Sequence, residues 1–127
     1  MEGKTILVVE DRRDLRLVLA SMLKLEKYRV LEAADGGTGM KLFRQKSPDA
    51  VLLDINLPDT DGYALCREMR ADPERGKVPI IFITGRAAPE DRISGLRTGA
   101  DYYITKPFDP DEVLRRIEAV LRRAPAP

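Results

Sequence analysis

The chain contains no histidine and no tryptophan, and its one cysteine is Cys66. Without histidine there can be no Ser-His or Cys-His nucleophile pair within the chain, and most zinc sites are excluded with it. A single thiol cannot form an internal disulfide. Cys66 falls on the apolar side of a predicted helix, where core packing is its expected role. Long hydrophobic runs are also missing: no stretch approaches the roughly 20 apolar residues that cross a bilayer. Strand-like sequence begins within a few residues of Met1, so a cytoplasmic protein without membrane contact is expected. Neither sign of charge dominates, with 22 basic residues against 21 acidic ones. No global field therefore points to nucleic acid or to an anionic membrane. A glycine-rich loop ending in Lys-Ser or Lys-Thr is absent as well, which argues against direct use of ATP.

What is present fits one compact domain: 127 residues, 43% apolar and 34% charged. The segments Thr5 to Val9, Val51 to Leu53 and Ile80 to Ile83 are nearly all apolar, as strands covered on both faces should be. Arg29 to Ala33 and Tyr102 to Thr105 are more polar and suit sheet edges. Between the strands, apolar residues recur at helical spacing. Leu15, Val18, Leu19, Met22 and Leu23 form one stripe, and Val113, Leu114, Ile117, Val120 and Leu121 another; both are expected to dock on the sheet. Shorter stripes lie near Gly39 to Phe43 and Leu65 to Met69. Glu90 to Thr98 has only Ile93 and Leu96 for an apolar face and is weakened by Gly95, so it should be the most loosely held helix. The domain is expected to occupy residues 1–123, with the proline-rich 124–127 as the start of a linker or a C-terminal tail.

Strict alternation of five strands and five helices implies an α/β fold with a parallel sheet, right-handed crossovers and helices on both faces. With the first, third and fourth strands inside, the economical order is 2-1-3-4-5, a doubly wound (βα)5 flavodoxin-like arrangement. Its crevice lies at the ends of the first and third strands. Glu10-Asp11 closes the first strand, Asp54 the third, and Thr84 and Lys106 the fourth and fifth. Carboxylates gathered so closely repel unless a cation neutralises them. Oxygen ligands alone, with no histidine and no available thiol, point to a hard divalent ion, naturally Mg²⁺, which keeps waters and leaves room for a phosphoryl oxygen. Lys106 supplies a point charge and Thr84 a hydroxyl, both suited to a phosphoryl group. Asp54 would then be the acceptor, through an acyl phosphate.

Each of these residues also has a plainer reading. Glu10-Asp11 could cap a helix, Asp54 could be a turn residue, Thr84-Gly85 a strand end, and Lys106-Pro107 a surface lysine before a turn. Their common occurrence at successive strand ends of one sheet edge favours a site. Asp59-Thr60-Asp61-Gly62 imitates the start of a calcium loop but lacks the later glutamate, so it reads as a turn and helix cap.

The motifs Val8-Val9-Glu10-Asp11, Asp54 through Leu57-Pro58 to Asp61-Gly62, Ile83-Thr84-Gly85 and Gly99-Ala100-Asp101-Tyr102-Tyr103-Ile104-Thr105-Lys106-Pro107-Phe108 together resemble the receiver domain of bacterial two-component response regulators (CheY-like). The resemblance extends from Lys4 to about Arg123. It implies that Asp54 accepts a phosphoryl group from a sensor histidine kinase or a phosphotransfer protein, whose histidine this chain lacks. It implies Mg²⁺ held by Asp11, Asp54 and the backbone carbonyl of Asn56, with Glu10 acting through water. Lys106 and the backbone amide of Gly85 would hold phosphoryl oxygens, Thr84 and Tyr103 would act as switch residues, and the Lys106-Pro107 bond would be cis. The domain would be a phosphoacceptor rather than a turnover enzyme, read out through the face of its fourth helix, fifth strand and fifth helix.

Two departures from the family pattern stand out. Arg86, two residues after Thr84, lies with Asn56 where members vary and tune the lifetime of the phosphoryl group. Tyr102 replaces an aspartate that in one branch pairs with arginine across a dimer; Arg92, Glu112 and Arg116 keep the rest of that pattern, so a homodimer through this face remains an expectation. Two rival readings are an aspartyl-phosphate-forming phosphatase and a flavodoxin-like cofactor binder. The first would need spaced rather than adjacent acids after the first strand, and the second a phosphate-cradling loop where Glu10-Asp11-Arg12-Arg13-Asp14 stands.

Overall fold

The computed structural model describes residues 3–123; the tail expected at 124–127 lies outside the described residues. Five strands, β1 (Thr5–Val9), β2 (Arg29–Ala33), β3 (Ala50–Leu53), β4 (Ile80–Thr84) and β5 (Tyr102–Thr105), alternate with five helices. The helices are α1 (Arg13–Leu25), α2 (Gly36–Lys46), α3 (Gly62–Arg70), α4 (Pro89–Arg97) and α5 (Pro110–Arg123). The sheet order is β2-β1-β3-β4-β5 and every pairing is parallel. The apolar runs are indeed the inner strands: β3 and β4 are buried throughout, while β2 and β5 at the edges are partly exposed.

Alternation along each strand divides the core between two faces. Ile6, Val8, Leu52, Ile81, Ile83 and Ile104 pack with Leu19 and Leu23 of α1 and Val113, Ile117 and Val120 of α5. Leu7, Val9, Val51, Leu53, Phe82 and Tyr103 face the other way, against Met40 and Phe43 of α2 and Leu65, Cys66 and Met69 of α3. Cys66 is a buried packing residue, and burial pushes its thiol pKa up, which keeps it protonated and unreactive.

Two apolar patterns behave differently from expectation. Val18, placed in the α1 stripe, is 52% exposed, because only Leu19, Ala20 and Leu23 of that helix are buried. Ile93 and Leu96, expected to give α4 its apolar face, are 51% and 41% exposed. α4 buries Gly95 instead. The helix is thus held to the sheet by very little side-chain area, consistent with its being the loosest of the five.

The acidic turn after β3 is a double clasp. Asp61 caps α3 by accepting from the Ala64 amide at 2.8 Å, and Asp59 accepts from the Gly36 and Gly37 amides at the start of α2, at 2.8 and 2.9 Å. Periodicity gave no hint of Arg70. Its guanidinium donates to the carbonyls of Gly99 (2.8 Å), Gly76 (2.9 Å) and Val78 and to Asp101 (3.0 Å), and Asp101 in turn accepts from the Ile80 amide. This one side chain ties the approach to β4 to the approach to β5.

Candidate functional site

Register brings the acidic residues together. Val9 pairs with Leu53, so Glu10 and Asp54 leave the sheet side by side, and the ladder continues through the Asp54 amide donating to the Val9 carbonyl at 3.1 Å. Thr84 pairs with Thr105, and the Lys106 amide donates to the Thr84 carbonyl at 2.8 Å, which brings Lys106 to the same edge. Behind Asp54 the chain doubles back: the Gly62 amide donates to the Ile55 carbonyl at 2.7 Å. A Cβ at Gly62 would collide with the Asp54 carbonyl oxygen and lie 2.8 Å from the Ile55 Cα, so only glycine allows this return.

Glu10 and Asp54 are 2% and 5% exposed, whereas Asp11 is open to solvent. Each of the three offers a carboxylate oxygen within 4.8 Å of the others. The Lys106 ammonium bridges two of them, donating to Glu10 Oε1 at 2.7 Å and Asp54 Oδ2 at 2.9 Å. The other Asp54 oxygen, Oδ1, accepts from the Ile55 and Asn56 amides at 2.7 and 3.3 Å, which fixes the plane of the carboxylate. Glu10 Oε2 accepts from the Arg12 amide, and Arg16 donates to the Glu10 carbonyl at 2.9 Å. Burial raises the Glu10 pKa; the bonds from Lys106 and Arg12 pull it down only in part, and the Asp54 charge pushes the same way as burial. For Lys106, burial alone would lower the pKa, but its bonds to the two carboxylates and their charges outweigh it, so the ammonium is held above its usual value.

The donor set is three carboxylates and no nitrogen or sulfur ligand, with one ammonium shared between two of the acids. That is a surplus of negative charge on hard oxygen atoms, and it fits a hard divalent cation.

Thr84 is fully buried, and its hydroxyl accepts weakly from the Arg86 amide at 3.4 Å; Gly85 beside it is exposed. Tyr103 points inward, 1% exposed, and its hydroxyl donates to the Arg86 carbonyl at 2.7 Å. Burial, followed by the influence of Tyr63, raises its pKa far above the ordinary phenol value. The Lys106-Pro107 bond is cis. Arg86 reaches across the mouth of the site: its Nε and Nη2 both donate to Asn56 Oδ1, at 3.1 and 2.8 Å, and its guanidinium lies 5.8 Å from the Tyr63 ring centroid. That fork joins loops 30 residues apart and carries no local sequence signal. On the outer face Tyr102 is held between Arg92 and Arg116, at 5.6 and 4.0 Å from its ring centroid.

Fold and site together define a doubly wound α/β domain with a lysine-bridged acidic cluster at the carboxyl edge of its sheet. Residues 6–118 match the family model described as the response regulator receiver domain, and the chain belongs to that family. It is 46% identical over 118 residues to the probable transcriptional regulator ycf27 of Guillardia theta, covering 93% of this chain and 45% of that protein. With the phosphate regulon transcriptional regulatory protein PhoB of Pseudomonas aeruginosa it shares 42% identity over 123 residues, 97% of this chain and 54% of that one. The chain thus spans about half the length of the curated relatives it matches. A putative response regulator from Chloroflexus aurantiacus superposes with a TM-score of 0.91 at 32% identity, covering 95% and 99% of the two chains. The receiver domain of a Pseudomonas aeruginosa sensor histidine kinase, solved with a magnesium ion in its active-site cleft, superposes with a TM-score of 0.84 at 38% identity, covering 96% and 97%. These relatives are regulators and signalling receivers, and the phosphatase and flavin-binder readings give way to them.

Proposed function

We propose that this domain is a phosphorylation-controlled switch in which Asp54 is the phosphoacceptor. The observation that carries the reading is the Asp54 carboxylate itself: buried, oriented by two backbone amides, and bridged by Lys106 to Glu10. An Asp54 oxygen would attack the phosphorus of a phosphohistidine on a sensor kinase or phosphotransfer partner. The new O–P bond forms as the P–N bond breaks, and the imidazole leaves with the electron pair. Asp11 and Asp54, with the Asn56 carbonyl, would hold Mg²⁺, and Glu10 would act through water. The ion supplies charge neutralisation for the transferring group. Lys106 would turn from Glu10 and Asp54 to a phosphoryl oxygen, and the Gly85 amide and the Thr84 hydroxyl would take others.

The chain does this as a substrate of phosphorylation rather than as a turnover enzyme. The acyl phosphate carries about 1.5 to 2 negative charges at pH 7 in place of the single charge of the Asp54 carboxylate, and Thr84 and Tyr103 would pass that change to the α4, β5 and α5 face. There Ile93 and Leu96 are exposed beside Arg92 and Arg116, and a second copy of the domain would pack on this face. The reading assigns no nucleic-acid contact to the domain.

The test is incubation with acetyl phosphate followed by intact-mass spectrometry. One phosphoryl group is expected with Mg²⁺ present and none after chelation of the metal. Equal labelling with and without the metal would overturn the role given to the acidic cluster.

Arg86 and Asn56 should set how long the group stays. Their fork joins the loop after β4 to the loop after β3, the loop that carries Asp54, and there the cation would screen the phosphoryl group from an attacking water. Arg86→Ala is expected to shorten the lifetime of phospho-Asp54 roughly fivefold, the effect of losing about 1 kcal/mol from the barrier. Decay of the labelled mass with time reads this directly, and an unchanged or longer lifetime would reject the assignment.

A further inference from the structure

Gly95 stands in the middle of α4, where glycine weakens a helix, and its φ is not in the left-handed region that would require it. The reason for it is space. A Cβ built on Gly95 would lie 2.8 Å from both Cδ2 and Cε2 of Tyr103 and 3.3 Å from Cδ2 of Phe82. The Tyr103 ring has little freedom to yield while it stays inside. It packs against Phe82 with ring centroids 5.9 Å apart, and its hydroxyl is bound to the Arg86 carbonyl. At the end of α4 the buried Thr98 hydroxyl donates to the Gly95 carbonyl at 2.6 Å within the helix's own last turn, and the Thr98 carbonyl oxygen lies 3.6 Å from Cys66 Sγ of α3. Tyr103 does have another place to go. It sits on β5, the edge strand, and another staggered χ1 rotamer would withdraw the ring from this notch.

We infer that Gly95 is a positioning residue for Tyr103: the notch it leaves in α4 is what lets the ring occupy the inward position. The weak point in α4 and the buried tyrosine are then two halves of one device, in which a single missing methyl decides whether Tyr103 belongs to the core or to the α4, β5 and α5 face. Its consequence for signalling rests on the phosphoacceptor reading above, whereas the steric relation does not.

The experiment is a double-mutant cycle with a spectroscopic arm. In the otherwise unchanged chain, Gly95→Ala is expected to lower the folding equilibrium constant several-fold. In the Tyr103→Ala background the same substitution is expected to raise it about fivefold, the ordinary gain of alanine over glycine in a helix. If Gly95→Ala alone prevents folding, the double variant should restore it; failure of both would overturn the proposal. In 3-fluorotyrosine-labelled protein the Tyr103 resonance, identified by its loss in Tyr103→Phe, should be insensitive to exchange of H2O for D2O and should become sensitive in Gly95→Ala. A Tyr103 signal that stays protected, or an equal gain from Gly95→Ala in both backgrounds, would refute the notch. Phosphoryl labelling by acetyl phosphate should persist in Gly95→Ala. Absence of labelling in the unsubstituted chain would remove the switch reading and leave the result of the cycle standing.

Discussion

Asp54→Asn is expected to abolish phosphoryl uptake from acetyl phosphate while leaving the fold in place. The asparagine side chain has nearly the same shape, and its carbonyl oxygen can go on accepting from the Ile55 and Asn56 amides as Asp54 Oδ1 does. What disappears is the nucleophile, since an amide oxygen or nitrogen at neutral pH does not form a stable acyl phosphate. Electrostatics favour survival of the fold. Asp54 is one of the charges that raise the Glu10 pKa, so its neutralisation relieves repulsion, and Lys106 keeps its 2.7 Å bond to Glu10. Intact-mass spectrometry should therefore show no added group in a protein with an unchanged circular dichroism spectrum. Labelling at the original level would move the acceptor role to Glu10 or Asp11 and sink the assignment.

The legible part of this molecule was what register and strand ends can carry. Unbroken apolar runs identify β1, β3 and β4 as inner strands, and a residue directly after such a run must emerge at the carboxyl edge; that is why Glu10, Asp54, Thr84 and Lys106 could be gathered without any knowledge of contacts. Periodicity was less reliable at helix surfaces. It treats every apolar residue at the right spacing as buried, but whether Val18, Ile93 or Leu96 finds a partner depends on how far the sheet extends beneath the helix; for Ile93 and Leu96 of α4 the neighbouring strand is the short edge strand β5. The contacts that periodicity and strand ends do not reveal are long polar reaches. Arg70 to Asp101 spans 31 residues and has no signal in the sequence; the family pattern couples positions 86 and 56, but the bond between them, across 30 residues, appears only in the fold. In the sequence Gly95 shows only its cost to α4; the space it leaves has meaning only with the Tyr103 ring beside it.

Lys106→Ala should produce two separable effects, one on stability and one on phosphorylation. In the resting chain the ammonium is the cation shared by Glu10 and Asp54, both almost fully buried. Its removal leaves two carboxylates facing each other without compensation. Breaking a buried ion pair from one side costs about 3 kcal/mol at the lower end of the usual range, the appropriate end here because the lysine side chain is 18% exposed. Thermal unfolding without divalent ions should show that loss. Added Mg²⁺ should recover much of it, because an ion that binds only the folded state contributes about 2.7 kcal/mol at a hundred times its dissociation constant. The rise in Tm on adding Mg²⁺ is therefore expected to be larger in Lys106→Ala than in the unsubstituted chain, where the ammonium already does part of the neutralising. Phosphoryl uptake should continue, since Asp54 is intact, but about 10²- to 10³-fold more slowly for want of a cation on the developing charge. Any phosphorylation-driven change in oligomeric state should be lost, because Lys106 is the side chain that would leave Glu10 for the phosphoryl group and carry β5, and Tyr103 with it. An identical Mg²⁺ response in both proteins would show that the lysine does not compete with the ion for the acidic cluster. Undiminished dimerisation on phosphorylation of the variant would place the coupling elsewhere than in Lys106.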